Sequence, residues 1–195
     1  MEQIGLLERV EDAFKDERGI YRIADPLIRF HQLVVSRHEG RLVRHESARV
    51  WTDVTDTVAA KIYGPHFEDL AREWTLAQAS TETLGGTPSW VRPATLACRE
   101  HREGHELDVV ASRSVPFEPD QVLAIGEAKA TAKPVDVAEL DRLEHLRTLL
   151  PPKATEEQPK LLLFGRAGFT RLLQKTAAAR QDVALVDLER LYLGT

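Results

Sequence analysis

Glu106-Leu107-Asp108-Val109-Val110 is followed by Ile125-Gly126-Glu127-Ala128-Lys129-Ala130, with Glu127 nineteen positions after Asp108. Both segments read as β-strands. Strand alternation places Glu106 and Asp108 on one face of the first, with Leu107 and Val109 on the other. In the second, Glu127 and Lys129 share a face. If the two strands pair as a hairpin, Asp108, Glu127 and Lys129 converge at one end of a sheet. Two carboxylates and a lysine suit phosphodiester hydrolysis. The carboxylates hold Mg²⁺, which stabilises developing charge and lowers the pKa of a bound water. The lysine orients that water or neutralises the charge. An edge-strand salt bridge of Lys129 with Glu127 or Asp108 would use the same residues without chemistry, and the spacing alone does not choose between the two.

The flanking sequence sets this pair in an α/β frame. Trp90–Cys98, 106–111 and 122–125 are β-prone runs separated by charged or proline-containing turns, which predicts a three-stranded meander. An amphipathic helix follows over 135–150, with Val137, Leu140, Leu143 and Leu146 in phase and Pro151-Pro152 closing it. Leu161-Leu162-Leu163-Phe164 has the continuous apolar character of a buried strand. Gly165-Arg166-Ala167-Gly168 reads as a strand-to-helix turn, 169–180 as a helix, and 183–186 as a last strand before a short C-terminal helix. Antiparallel strands followed by a βαβ-type return imply a mixed central sheet with helices on its faces.

Upstream, 6–10 and 19–23 read as strands joined by a charged turn over 11–18. Such a hairpin is marginal by itself and is expected to pack on the helix that follows. Asp25-Pro26 is a helix start, with Leu27, Ile28, Phe30, Leu33, Val34 and Val35 on its apolar face. A second helix over 51–63 is expected to end at Gly64-Pro65, and a third, over 67–78, carries Glu68.

Charge and composition exclude several classes. The net charge is −5, which argues against a freestanding, sequence-independent DNA binder. Arg29, Arg37, Arg41, Arg44 and Arg49, with His31, His38 and His45, make one basic stretch, either a solvated helical surface or a phosphate-facing patch. The single cysteine, Cys98, rules out an internal disulfide and an all-cysteine metal site, and its apolar strand suggests a buried thiol. No histidine pair has the spacing of a helical zinc hydrolase, and no phosphate-binding loop for a nucleotide is encoded. The chain has no long apolar run and no secretory signal, so a cytoplasmic location is expected.

The order of several segments resembles the PD-(D/E)XK restriction-endonuclease-like fold. More specifically, it is similar to the C-terminal nuclease-like domain of archaeal-type AAA+ ATPases, a family of unknown function. The segments are Tyr21-Arg22-Ile23-Ala24-Asp25-Pro26-Leu27-Ile28-Arg29-Phe30, Gly64-Pro65-His66-Phe67-Glu68, Glu106–Val110, Gly126-Glu127-Ala128-Lys129 and Leu163-Phe164-Gly165-Arg166-Ala167-Gly168-Phe169. His31 and Ala130 stand where that family commonly has a tryptophan and an aromatic. The resemblance implies that 1–23 is a winged-helix remnant without its ATPase. Residues 24–80 would lead into a nuclease-like core over 81–195, whose first helix starts near 64. It implies a metal-dependent DNA endonuclease in which Asp108 and Glu127 bind Mg²⁺ or Mn²⁺ and Lys129 positions water. Glu68 would assist the metal or its water, while Glu106 faces the cluster or lies just outside it. The partners implied are DNA, through the arginine stretch, and an ATPase or a second copy of the chain. A non-catalytic docking module of the same fold is the alternative.

Overall fold

The computed structural model describes residues 6–98, 103–155 and 157–194. It is a mixed α/β structure whose five-stranded sheet has the order β3-β4-β5-β6-β7. The strands are β3 (Trp90–Cys98), β4 (Glu103–Arg113), β5 (Gln121–Lys129), β6 (Lys160–Gly165) and β7 (Val183–Asp187). β3, β4 and β5 form the antiparallel meander, whereas β5–β6 and β6–β7 are parallel. The parallel connections run through α6 (Val137–Thr148) and α7 (Arg171–Ala178). Asp136 and Thr170 cap these two helices with their side-chain oxygens.

Each face of the sheet carries its own apolar layer. Under α6 and α7 lie Leu96, Leu107, Val110, Ile125, Leu161 and Leu163, packed on Leu140, Leu143, Leu146 and Leu173. The opposite face holds Val109, Ala111, Ala124, Leu162 and Phe164 against α4 (Gly64–Ala77) and α8 (Leu188–Leu193), through Phe67, Ala71, Trp74 and Leu191. The continuous apolar run in β6 is thus explained by burial on both faces.

The helical segment before the sheet departs from the sequence reading at Gly64-Pro65. Those residues do not end a helix. α3 (Ser47–Val58) passes through a π-helical turn, Ala59–Tyr63, directly into α4, with the Gly64 N–H donating to the Ala59 carbonyl. The widened turn absorbs the proline, which has no N–H to donate and whose ring would otherwise press on the preceding turn. α1 (Pro26–Phe30) likewise continues through a π turn into α2 (Ser36–Val43). These helices make a small core of their own from Val34, Val50, Val54, Val58 and Ile62. Leu27, assigned to the apolar face from sequence, is 72% exposed. Among the described residues no helix is long and apolar enough to cross a membrane.

The N-terminal hairpin is tighter than expected. β1 (Leu7–Asp12) and β2 (Lys15–Ile23) pair from Leu7↔Ile23 to Asp12↔Lys15, so the turn is Ala13–Phe14 rather than the whole of 11–18. Its tip docks on β3, while α1 follows the opposite end of the hairpin, where Leu7 pairs with Ile23. The Ala13 N–H donates to the Pro93 carbonyl (2.8 Å), and Asp12 Oδ2 accepts from the Thr95 N–H (2.9 Å). β3 is the edge strand, and these bonds cover backbone groups that would otherwise face outward unpaired. Asp12 Oδ1 also accepts from the Phe14 N–H, so one carboxylate holds both the turn and the dock. Asp12→Ala is expected to cost about 2–3 kcal/mol in chemical denaturation, since two charge-assisted bonds are lost. Hydrogen exchange should show lost protection at Phe14 and Thr95; unchanged stability and protection would contradict this docking.

Candidate active site

Pro93 shapes the site. It cannot donate to the β-ladder, and the β3–β4 register changes across it, from Arg92↔Val110 to Ala94↔Leu107. β4 therefore places two residues, Asp108 and Val109, opposite one, which is a β-bulge. The bulge corrects the alternation read from sequence. Leu107 and Val110 face the layer under α6, and Val109 and Ala111 face the layer under α4. Asp108 sits at the break, beside the end of β5, where its Oδ2 accepts the Ala128 N–H at 2.8 Å.

The β4–β5 pairing is antiparallel, with Val109↔Gly126 the last register pair at this end. Glu127 and Lys129 then project from β5 toward α6. Glu127 is 5% exposed, and both its oxygens are engaged. Lys129 Nζ donates to Oε1 at 2.7 Å, and Arg142 of α6 pairs with Oε2. Lys129 also reaches Glu139 of α6 at 3.3 Å, so it bridges two acids and is not the partner of Asp108. Burial works to lower the Lys129 pKa, but bonding to Glu127 and the charges of Glu127 and Glu139 outweigh it, and the pKa is raised.

Asp108 is pushed up to about 7, first by burial, then by the charges of Glu127 and Glu68, against the opposing Ala128 hydrogen bond and Lys129. Glu68, on α4, is also raised, chiefly by burial, with Arg72 opposing and Asp69 and Glu106 adding to the shift. Arg72 fixes the α4 side of the site by donating to the Asp108 carbonyl at 2.7 Å and pairing with Asp69. Arg22 of the hairpin pairs with Asp69 too, which couples the N-terminal strands to α4. Glu68, Glu106 and Asp108 line one cleft of about 150 Å³ together with Glu11 and Asp12 of the hairpin.

The four residues singled out from sequence are thus electrostatic neighbours: Asp108 feels Glu127, Glu68 and Lys129. Glu106 is placed on the rim of the same cleft. Arg142, Glu139 and Arg72 contact these residues and were not singled out from the sequence. The helical phase of Leu140, Leu143 and Leu146 was a usable signal, because it fixes Glu139 and Arg142 on the flank beside the apolar stripe. The arginine stretch is partly neutralised: Arg41 pairs with Asp53 (2.8 Å) and Glu46 (3.4 Å), and Arg44 with Glu46 (3.1 Å).

Two donor sets can be tested for a metal. Asp108, Glu127 and Glu68 supply hard oxygens of the kind Mg²⁺ and Mn²⁺ take. Asp108 is raised first by burial and then by the charges of Glu127 and Glu68, and a divalent cation would offset that charge, so the donor set fits; Glu68 is raised chiefly by burial, with Asp69 and Glu106 adding to it. A second group, Cys98, His105 and His145, has ligating atoms that all lie within 4.8 Å of one another. Comparison with known proteins finds no matching family model, no matching curated protein and no matching solved structure.

The electrostatics set a pH dependence. A folded pKa above the ordinary carboxylate value near 3.8 means that the fold favours neutral Asp108. That contribution is complete below about pH 4 and is lost as pH rises through about 7. Asn keeps an oxygen for the Ala128 N–H and carries no charge. Asp108→Asn should therefore stabilise the protein at pH 8 without added metal, on the order of 2 kcal/mol, and have little effect at pH 4. Denaturant melts at the two pH values check this; equal effects at both would show that Asp108 is not held neutral.

Proposed function

We propose that the chain is a metal-dependent phosphodiester hydrolase acting on DNA, built on a PD-(D/E)XK, restriction-endonuclease-like core and related to the C-terminal domains of archaeal-type AAA+ ATPases. The observation that carries this reading is the gathering of Asp108, Glu127 and Lys129 at one end of the β4–β5 pair, with Glu68 of α4 beside them. Asp108 and Glu127 would hold Mg²⁺ or Mn²⁺, which would supply an activated water and stabilise charge on the phosphoryl group. Lys129 lies 2.7 Å from Glu127 and is placed to orient the water or neutralise the developing charge. Glu68, held with a raised pKa, accepts or returns a proton at the rim of the cleft. Arg142 shares Glu127 with Lys129, so a cation held by Glu127 would have to share that carboxylate with two side-chain cations. The DNA backbone is met by Arg142 and Lys129 beside Glu127, and by the exposed Arg37 and Arg49 of the helical segment. The protein acts in the cytoplasm, beside an ATPase or a second copy of itself.

The ion pairs of Glu127 favour a second reading, a docking module in which Arg142, Lys129 and Glu139 are purely structural. Thermal melts with and without millimolar Mn²⁺, paired with plasmid nicking, separate the two. In the hydrolase, Mn²⁺ raises the melting temperature of the wild type and leaves Asp108→Asn unmoved. Lys129→Ala still responds to Mn²⁺ but nicks about a hundredfold more slowly, the usual scale for one lost transition-state contact. A wild type that neither shifts nor nicks excludes the hydrolase.

A further inference from the structure

The same sheet face that holds Glu127 carries a second polar group farther along α6. Cys98 lies in β3 and is 3% exposed. His105 lies in β4 directly opposite Leu96, two residues back along β3 from Cys98, so pleat alternation turns His105 and Cys98 to the same face. His145 lies in the last turn of α6, three residues after Arg142, and faces them from the helix layer. One ligating atom from each residue falls within a common span of 4.8 Å. The two imidazole rings meet edge to face, with centroids 6.0 Å apart and planes at 87°. Among the described residues, Ala94, Leu96, Leu107, Leu143 and Leu146 belong to the apolar layer on this face.

We propose that Cys98, His105 and His145 bind a single Zn²⁺ ion that ties the β3–β4 strand pair to α6. One thiolate and two imidazoles are a borderline-soft donor set, which favours Zn²⁺ over Mg²⁺ or Mn²⁺. Zinc bonds of about 2.0–2.3 Å in a tetrahedron put ligand atoms roughly 3.3–3.8 Å apart, so small side-chain movements close the site. Water fills the fourth position. On binding, the Cys98 thiol loses its proton to solvent and its sulfur forms the Zn–S bond, while each neutral imidazole donates a nitrogen lone pair. No group changes oxidation state. Because α6 also presents Glu139 and Arg142 to Lys129 and Glu127, the ion clamps the helix that frames the carboxylate site. The proposal does not depend on that site being catalytic.

Cobalt substitution tests it. Chelator-treated protein titrated with Co²⁺ should gain a thiolate-to-cobalt charge-transfer band that saturates at one ion per chain and is removed by one equivalent of Zn²⁺. Zn²⁺ should also raise the melting temperature. Cys98→Ser should abolish the band, and Asp108→Asn should leave it intact, which separates this site from the carboxylate cluster. If Cys98→Ser does not fold, His145→Asn, at a half-buried helical position, serves instead and should weaken Zn²⁺ binding at least tenfold, or about that, in competition with a chromophoric chelator. A wild type with no charge-transfer band, a band that survives Cys98→Ser, or unchanged affinity in His145→Asn would each overturn the proposal.

Discussion

A proline in an edge strand is the constraint on which the site depends. Pro93 has no N–H for the ladder, and β4 responds with two residues opposite it. Without the extra residue, strict alternation would have carried Asp108 to the face opposite Leu107, into the apolar layer under α4. With it, Leu107 and Val109 serve different cores, and Asp108 is left between them at the sheet's end, where the Ala128 N–H anchors it. The Pro93 carbonyl, turned outward, is what the hairpin tip binds through Ala13. One residue thus sets the bulge, the placement of an acid and the docking of the N-terminal strands.

The helix α6 supplies the rest. Its apolar stripe, Leu140, Leu143 and Leu146, is driven onto the sheet by burial, and the flank beside it brings Glu139, Arg142 and His145 over β5, β4 and β3. Charge balance at the sheet end is therefore shared between two layers. β4 and α4 contribute Asp108 and Glu68, both raised first by burial, Asp108 next by the charge of Glu127. β5 and α6 contribute an acid already matched by two cations. A divalent ion entering between them would relieve the first pair and compete with Arg142 for the second.

Much of the fold was legible because its signals are local. The meander, the buried run Leu161–Phe164 and the α6 stripe are set by period and by flanking turn residues, and they lie where the sequence puts them. The meander brings Asp108, Glu127 and Lys129 to one end of the sheet, but the bulge that sets Asp108 there was not legible. Signals that depend on distant partners were not. Pro93 is visible in the sequence, but which strand would carry the extra residue is decided by packing on both faces. Gly64-Pro65 has the chemistry of a helix end, yet the preceding π turn and the burial of Phe67 keep the helix running. Cys98, His105 and His145 come from three elements with no motif spacing, so only the fold assembles them.

Under the proposed function, Asp108 and Glu127 together bind one divalent cation. Calorimetric titration of Mn²⁺ at pH 7, in two buffers of different ionisation enthalpy, tests it most directly. One ion per chain should bind with release of a fraction of a proton, since Asp108 is raised to about 7, and the release should fade by pH 9. The absence of saturable heat, or binding that persists unchanged in Asp108→Asn, would contradict it.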